Sequence, residues 1–134
     1  VSGLLDTNVV VRYFTGLPPE LAARARSILE ETAPLYLTDV ALAEAAYVLT
    51  SVYRLPRAVV VDHLVTLVRR HNVVTLGLDK DATVEALLLC QPSGRVSFPD
   101  ALIWAAARAS GVGAVYSFNQ RFPSDGVEVR RGRP

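Results

Sequence analysis

Cysteine is almost missing from this sequence: Cys90 is the only one in 134 residues. A lone thiol excludes an internal disulfide and a cysteine-ligated zinc site, and fits a reducing cytosol with the thiol buried. Histidine is nearly as scarce. His63 and His71 fall on one expected surface helix and its exit, and neither neighbours a cysteine or a second histidine in a ligand pattern. Long apolar runs are also lacking, because charge interrupts each of them well short of a membrane span, and the first residues have no basic-then-apolar layout of a secretory leader. The expectation is a cytoplasmic protein with no membrane partner. An excess of one charge is lacking too. Fourteen Lys+Arg against thirteen Asp+Glu leave a formal net charge of +1, so any contact with a polyanion must be local. Lys80 is the only lysine, which leaves arginine, with its planar phosphate-matching fork, as the carrier of positive charge. A codon bias would produce the same usage.

Apolar residues make up 51% of the chain, enough for one core and too few residues for two ordinary domains. One domain over residues 1–134 is expected. Short apolar runs alternate with longer helical stretches, the pattern of a parallel-sheet α/β domain. Strands are expected at Gly3-Leu4-Leu5, Leu35-Tyr36-Leu37, Val73 to Leu76 and Ala114 to Ser117, with a short edge strand at Val127-Glu128-Val129. Helices are expected from Thr7 to about Phe14, from Pro18-Pro19 onward, from Thr38 as N-cap to about Tyr53, from Pro56, from Asp79, and from Phe98 to Ser110. Pro92-Ser93-Gly94 reads as a loop. Arg-Arg-Gly-Arg-Pro at residues 130–134 reads as a frayed, flexible tail.

Several polar residues sit awkwardly in such a chain. Asp6 stands at the carboxyl end of the first strand, where ligands collect in open α/β sheets. It would serve equally well as a helix cap, as would Thr7. Glu44 has Val40 and Val48 one turn away, with Ala41 and Tyr47 completing that face. A carboxylate in an apolar stripe needs a cation, dense hydrogen bonding or a path to water at the stripe's rim. Asp100 follows Ser97-Phe98-Pro99, close to a capping box, yet shares its helix side with Ile103, Trp104 and Ala107. Asn119 ends the fourth strand, a place where a turn residue would also serve. Gathered in one cleft, two ionised carboxylates about 4–5 Å apart repel by roughly 3–4 kcal/mol at an effective dielectric near 20, so three would need a cation. Oxygen-only ligands favour Mg²⁺ or Mn²⁺ over zinc.

These residues carry a family resemblance. Leu4-Leu5-Asp6-Thr7-Asn8-Val9-Val10-Val11-Arg12-Tyr13 resembles the opening motif of PIN domains of the VapC toxin type, and Thr38-Asp39-Val40-Ala41-Leu42-Ala43-Glu44 resembles their second. Phe98-Pro99-Asp100-Ala101-Leu102-Ile103 is similar to the third and Tyr116-Ser117-Phe118-Asn119-Gln120-Arg121-Phe122 to the fourth, in the same order and over nearly the whole chain. The resemblance implies a three-layer α/β/α sandwich around a mostly parallel sheet of four to five strands, and a Mg²⁺- or Mn²⁺-dependent ribonuclease. It implies Asp6 and Asp100 as main metal ligands, and Glu44 as a ligand through water or an aid to the nucleophile. Asn119 would complete the catalytic group. Thr7 and Ser117 would support the site by hydrogen bonds and Asn8 would orient the first loop. RNA as substrate, a small antitoxin whose tail covers the cleft, and a homodimer are implied as partners.

Two positions depart from the family pattern. Asn119 stands where a fourth acid is common, and Ser97 where many members carry another aspartate. An amide keeps an oxygen but removes a charge, so a second metal is expected to bind only together with RNA phosphate. Arg12 and Arg121 are candidates for phosphate contacts, or for solvated surface positions. A phosphoaspartate enzyme would want a second aspartate where Asn8 stands, and a receiver domain would want a lysine outside the segment that holds Lys80. The remaining rival is a PIN-like module that binds RNA or an antitoxin without cutting.

Overall fold

Two leucine-rich segments, Gly3–Leu5 (β1) and Leu35–Thr38 (β2), and the alanine- and valine-bearing Ala114–Tyr116 (β4) form the centre of the sheet, and almost every residue in them is buried. Strands covered on both faces read as continuous apolar runs, as these do. Val73–Leu76 (β3) and Glu128–Arg130 (β5) are the edges and are correspondingly more exposed. The computed structural model describes residues 2–77, 79–90 and 95–134. Within them the strand order is β3-β2-β1-β4-β5 and every pairing is parallel. The expected loop at Pro92-Ser93-Gly94 and the side chain of Cys90 lie outside the described residues.

Helices connect the strands as parallel topology demands. Thr7–Thr15 (α1) and Pro19–Leu29 (α2) link β1 to β2, Asp39–Ser51 (α3) and Arg57–Val68 (α4) link β2 to β3, and Lys80–Cys90 (α5) and Phe98–Ala109 (α6) link β3 to β4. Each lies within a residue or two of its sequence expectation. The result is an α/β domain of three layers. From β1 the chain steps outward to β2 and β3, then returns to pair as β4 on the other side of β1. That reversal makes the carboxyl ends of β1 and β4 the place where a crevice opens.

Close packing explains Gly3. A Cβ there would come within 2.8 Å of the Tyr116 ring, so the central β1–β4 pair tolerates no side chain at that point. The core runs from Leu4, Leu5, Leu35 and Leu37 of the sheet into Val9, Ile28, Leu49 and Ile103 of the helices. In α3 the buried line is Ala41, Ala45 and Leu49.

The C-terminal residues differ from the frayed tail expected of their composition. Arg130 belongs to β5, and Arg131 Nη1 donates to the Ser117 carbonyl at 3.1 Å. Gly132 lies against α2, where a Cβ would meet Ile28 Cγ1 at 2.8 Å, and Ser27 Oγ donates to the Arg133 carbonyl at 3.3 Å. Backbone atoms and a glycine make most of these contacts, so charge composition gives no hint of them.

Candidate metal centre

Asp6 is the residue that follows β1, and its two carboxylate oxygens do different things. Oδ1 accepts from the Thr7 N–H at 2.8 Å, capping α1. Oδ2 accepts from Ser117 Oγ at 2.5 Å and from Asn8 Nδ2 at 3.3 Å. The capping role and the site role therefore coexist in one side chain. Asp6 is only 1% exposed. Burial, then the charge of Asp100, push its carboxyl up to about 7, against the pull of the Ser117 and Thr7 hydrogen bonds, and the charge of Glu44 adds slightly to the rise.

Ser117, the residue after β4, is wholly buried and joins the strand ends together. Its Oγ donates to Asp6 and accepts from the Asn119 N–H at 3.0 Å. Asn8 Nδ2 reaches the same oxygen at 3.4 Å, while Asn8 Oδ1 accepts from the Phe118 N–H at 3.0 Å and thereby ties α1 to the loop beyond β4.

Asp100 enters from the first turn of α6, whose N-cap Ser97 accepts from the Asp100 N–H at 3.2 Å. Its Oδ2 accepts from Asn119 Nδ2 at 2.7 Å. Burial raises its carboxyl above the ordinary range, and the hydrogen bonds from Asn119 and Ser97 partly offset that. Asn119 Oδ1 accepts from the Arg121 N–H, so the amide nitrogen is the end that meets Asp100. The oxygen that the sequence suggests as a substitute for a fourth acid is turned to the backbone instead.

Asp6 at the end of β1, Glu44 of α3 and Asp100 of α6 line one cavity of about 210 Å³. Thr7, Asn8, Val11, Arg12, Val48 and Tyr53 complete its wall. Glu44 is half-buried and flanks the buried alanine line of α3; Tyr47, expected on the same stripe, is 67% exposed. Arg12 Nη1 donates to Tyr53 Oη at 3.1 Å and to the Leu17 carbonyl at 3.3 Å. Arg121 is exposed and does not line the cavity; its backbone holds Asn119. Tyr53 and Arg131 were invisible to sequence reasoning, since their partners Arg12 and Ser117 are brought to them only by folding.

Two features suit a divalent cation here. The donors are oxygens throughout, and Thr7 Oγ1, on the cavity wall, is buried with no hydrogen-bond partner among the described residues. Among the described residues no three His, Cys, Asp or Glu side chains stand close enough to enclose one ion by themselves. Such an ion would fill its other positions with water or phosphate oxygens, the usual habit of Mg²⁺.

The PIN-domain family model matches residues 3–124. This chain belongs to the PIN-domain family. No curated protein matches it. Solved structures similar to this PIN domain include Mycobacterium tuberculosis VapC20, described as a toxin that cleaves the sarcin–ricin loop, at 19% identity and a TM-score of 0.75 over 95% of this chain and 96% of that one. A Klebsiella pneumoniae toxin–antitoxin complex matches at 18% identity and a TM-score of 0.67, covering 93% and 94% of the two chains. VapBC2 of Rickettsia felis, bound to a DNA fragment from its promoter, matches at 15% identity and a TM-score of 0.68, covering 97% and 98%. At these identities the likeness is one of fold. No helix among the described residues is long and apolar enough to cross a membrane.

Proposed function

We propose that this PIN domain is a ribonuclease dependent on Mg²⁺ or Mn²⁺, and the toxin of a VapBC-type toxin–antitoxin pair in the cytoplasm. The observation that carries the reading is the meeting of Asp6, Glu44 and Asp100, from three separate elements, on the wall of one cavity. Asp6 and Asp100 would hold the ion directly, and Glu44 through water. The ion would polarise the RNA phosphodiester and make a bound water more acidic. The chain's own part is then to position these groups and to take up a proton. Ser117 and Thr7 fix the Asp6 carboxylate by hydrogen bonds, and Asn119 fixes that of Asp100. Glu44, half-buried on the α3 wall, accepts the proton of the attacking water at its carboxylate. Arg12, braced by Tyr53 and Leu17 through Nη1, keeps its other guanidinium donors for a phosphate oxygen.

The toxin role and an antitoxin partner draw support from the similar folds of the Klebsiella and Rickettsia proteins, both solved from toxin–antitoxin systems. A homodimer belongs to the same proposal. Incubating the purified protein with structured RNA, with and without Mn²⁺, tests the enzyme. Cleavage that requires the metal and disappears in Asp6→Ala supports it. Binding without cleavage across many RNAs would favour the non-cutting module.

A further inference from the structure

The C-terminal segment grips the main chain of Ser117 on both sides. The Ser117 N–H donates to the Arg130 carbonyl at 3.0 Å, and the Ser117 carbonyl accepts from Arg131 Nη1 at 3.1 Å. The segment is itself anchored to α2. Arg24 Nη1 donates to the Gly132 carbonyl at 3.4 Å, Ser27 Oγ bonds the backbone of Arg133, and Gly132 lies in contact with Ile28. On its other side Ser117 presents Oγ to Asp6 Oδ2 and to the Asn119 N–H, and Asn119 in turn holds Asp100. A continuous chain of hydrogen bonds therefore leads from Arg131 to Asp6 and to Asp100.

We propose that Arg131 is a positioning residue of the acidic cavity, and that the strap it closes across the end of β4 sets Ser117 in the place where its hydroxyl orients Asp6. The proposal rests on the reading of the cavity as a metal site. Groups that orient metal ligands are typically worth about 10- to 100-fold in metal affinity. Arg131 acts one bond further out, through Ser117, so its effect should fall at or below the lower end of that range.

The test compares Mn²⁺ affinity, by titration followed through the spectrum of free Mn²⁺, with amide hydrogen exchange in the metal-free protein. Arg131→Ala is expected to weaken Mn²⁺ binding by roughly 5- to 10-fold and to speed exchange at the Ser117 and Asn119 amides selectively. Arg131→Lys, which can still donate to the Ser117 carbonyl, should recover part of the affinity. Arg133→Ala should match wild type, because the bonds between Arg133 and Ser27 run through the Arg133 backbone, which the substitution keeps. Unchanged affinity with unchanged exchange in Arg131→Ala would overturn the proposal, as would faster exchange spread evenly over the protein. If wild type binds no Mn²⁺, the nuclease reading fails, and selective exchange at Ser117 and Asn119 decides whether the strap stands.

Discussion

Asn119 Nδ2 donates to Asp100 Oδ2 at 2.7 Å while Asn119 Oδ1 is taken by the Arg121 N–H at 3.0 Å. An amide can satisfy both partners because it carries a donor and an acceptor; a carboxylate cannot. Asn119→Asp would set a second negative charge against Asp100. Two such charges about 4 Å apart cost roughly 4 kcal/mol at an effective dielectric near 20, less where solvent screens the half-exposed Asp100. The metal-free variant should lose roughly 1–2 kcal/mol at neutral pH, as measured by urea denaturation, and saturating Mn²⁺ should restore it. In calorimetric titration without RNA, wild type should take up one ion tightly and the variant should gain affinity for a second. Two tight ions in wild type would contradict the assignment.

The burial of Asp6 should make the metal-free protein sensitive to pH. Its folded carboxyl sits at about 7, above its ordinary 3.8, so the native state holds a proton that the unfolded chain has released. The stabilising contribution is full below about 3.8 and is lost as pH rises through 7. Thermal melts of the metal-free protein should therefore show a falling Tm between pH 5 and 8. Asp6→Asn should flatten that slope and raise the Tm at pH 8, while abolishing Mn²⁺ binding. A Tm that climbs over this range would refute the burial argument.

On the proposed reading, Glu44 acts on the nucleophile more than it holds the fold. Glu44→Gln keeps the shape and the half-buried packing on α3, so the Tm should change by little. RNA cleavage should fall by about 10²-fold or more, with RNA affinity close to wild type. A large drop in affinity with intact turnover would move Glu44 from the reaction to binding.

Arg12 should contribute one phosphate contact. Arg12→Ala should weaken RNA binding across sequences and reduce the slope of log K against log salt by about one. Tyr53→Phe removes only the brace on the guanidinium, and a smaller loss of affinity is expected with the slope unchanged. Equal slopes in wild type and Arg12→Ala, measured by filter binding, would exclude a phosphate contact.

The parts of this molecule legible in its sequence are those that depend on local pattern. Continuous apolar runs at Leu4-Leu5 and Leu35-Tyr36-Leu37 announce buried parallel strands, and Thr38 and Ser97 announce helix starts where each side chain does cap. Asp6, Glu44 and Asp100 stood out because charge in an apolar setting needs a reason. Helix phase is less legible at Tyr47. The buried line of α3 is as narrow as Ala41, Ala45 and Leu49, and Tyr47 falls outside it. Partnerships between remote residues left no local mark. Nothing near Tyr53 foretells Arg12, and nothing in an arginine-rich tail foretells a bond to Ser117.

The strap at Ser117 also divides labour between main chain and side chain. Its backbone N–H and carbonyl face Arg130 and Arg131, while its hydroxyl faces Asp6 and Asn119. A change of side chain at this one position would therefore break the link to the acids and leave the sheet edge joined.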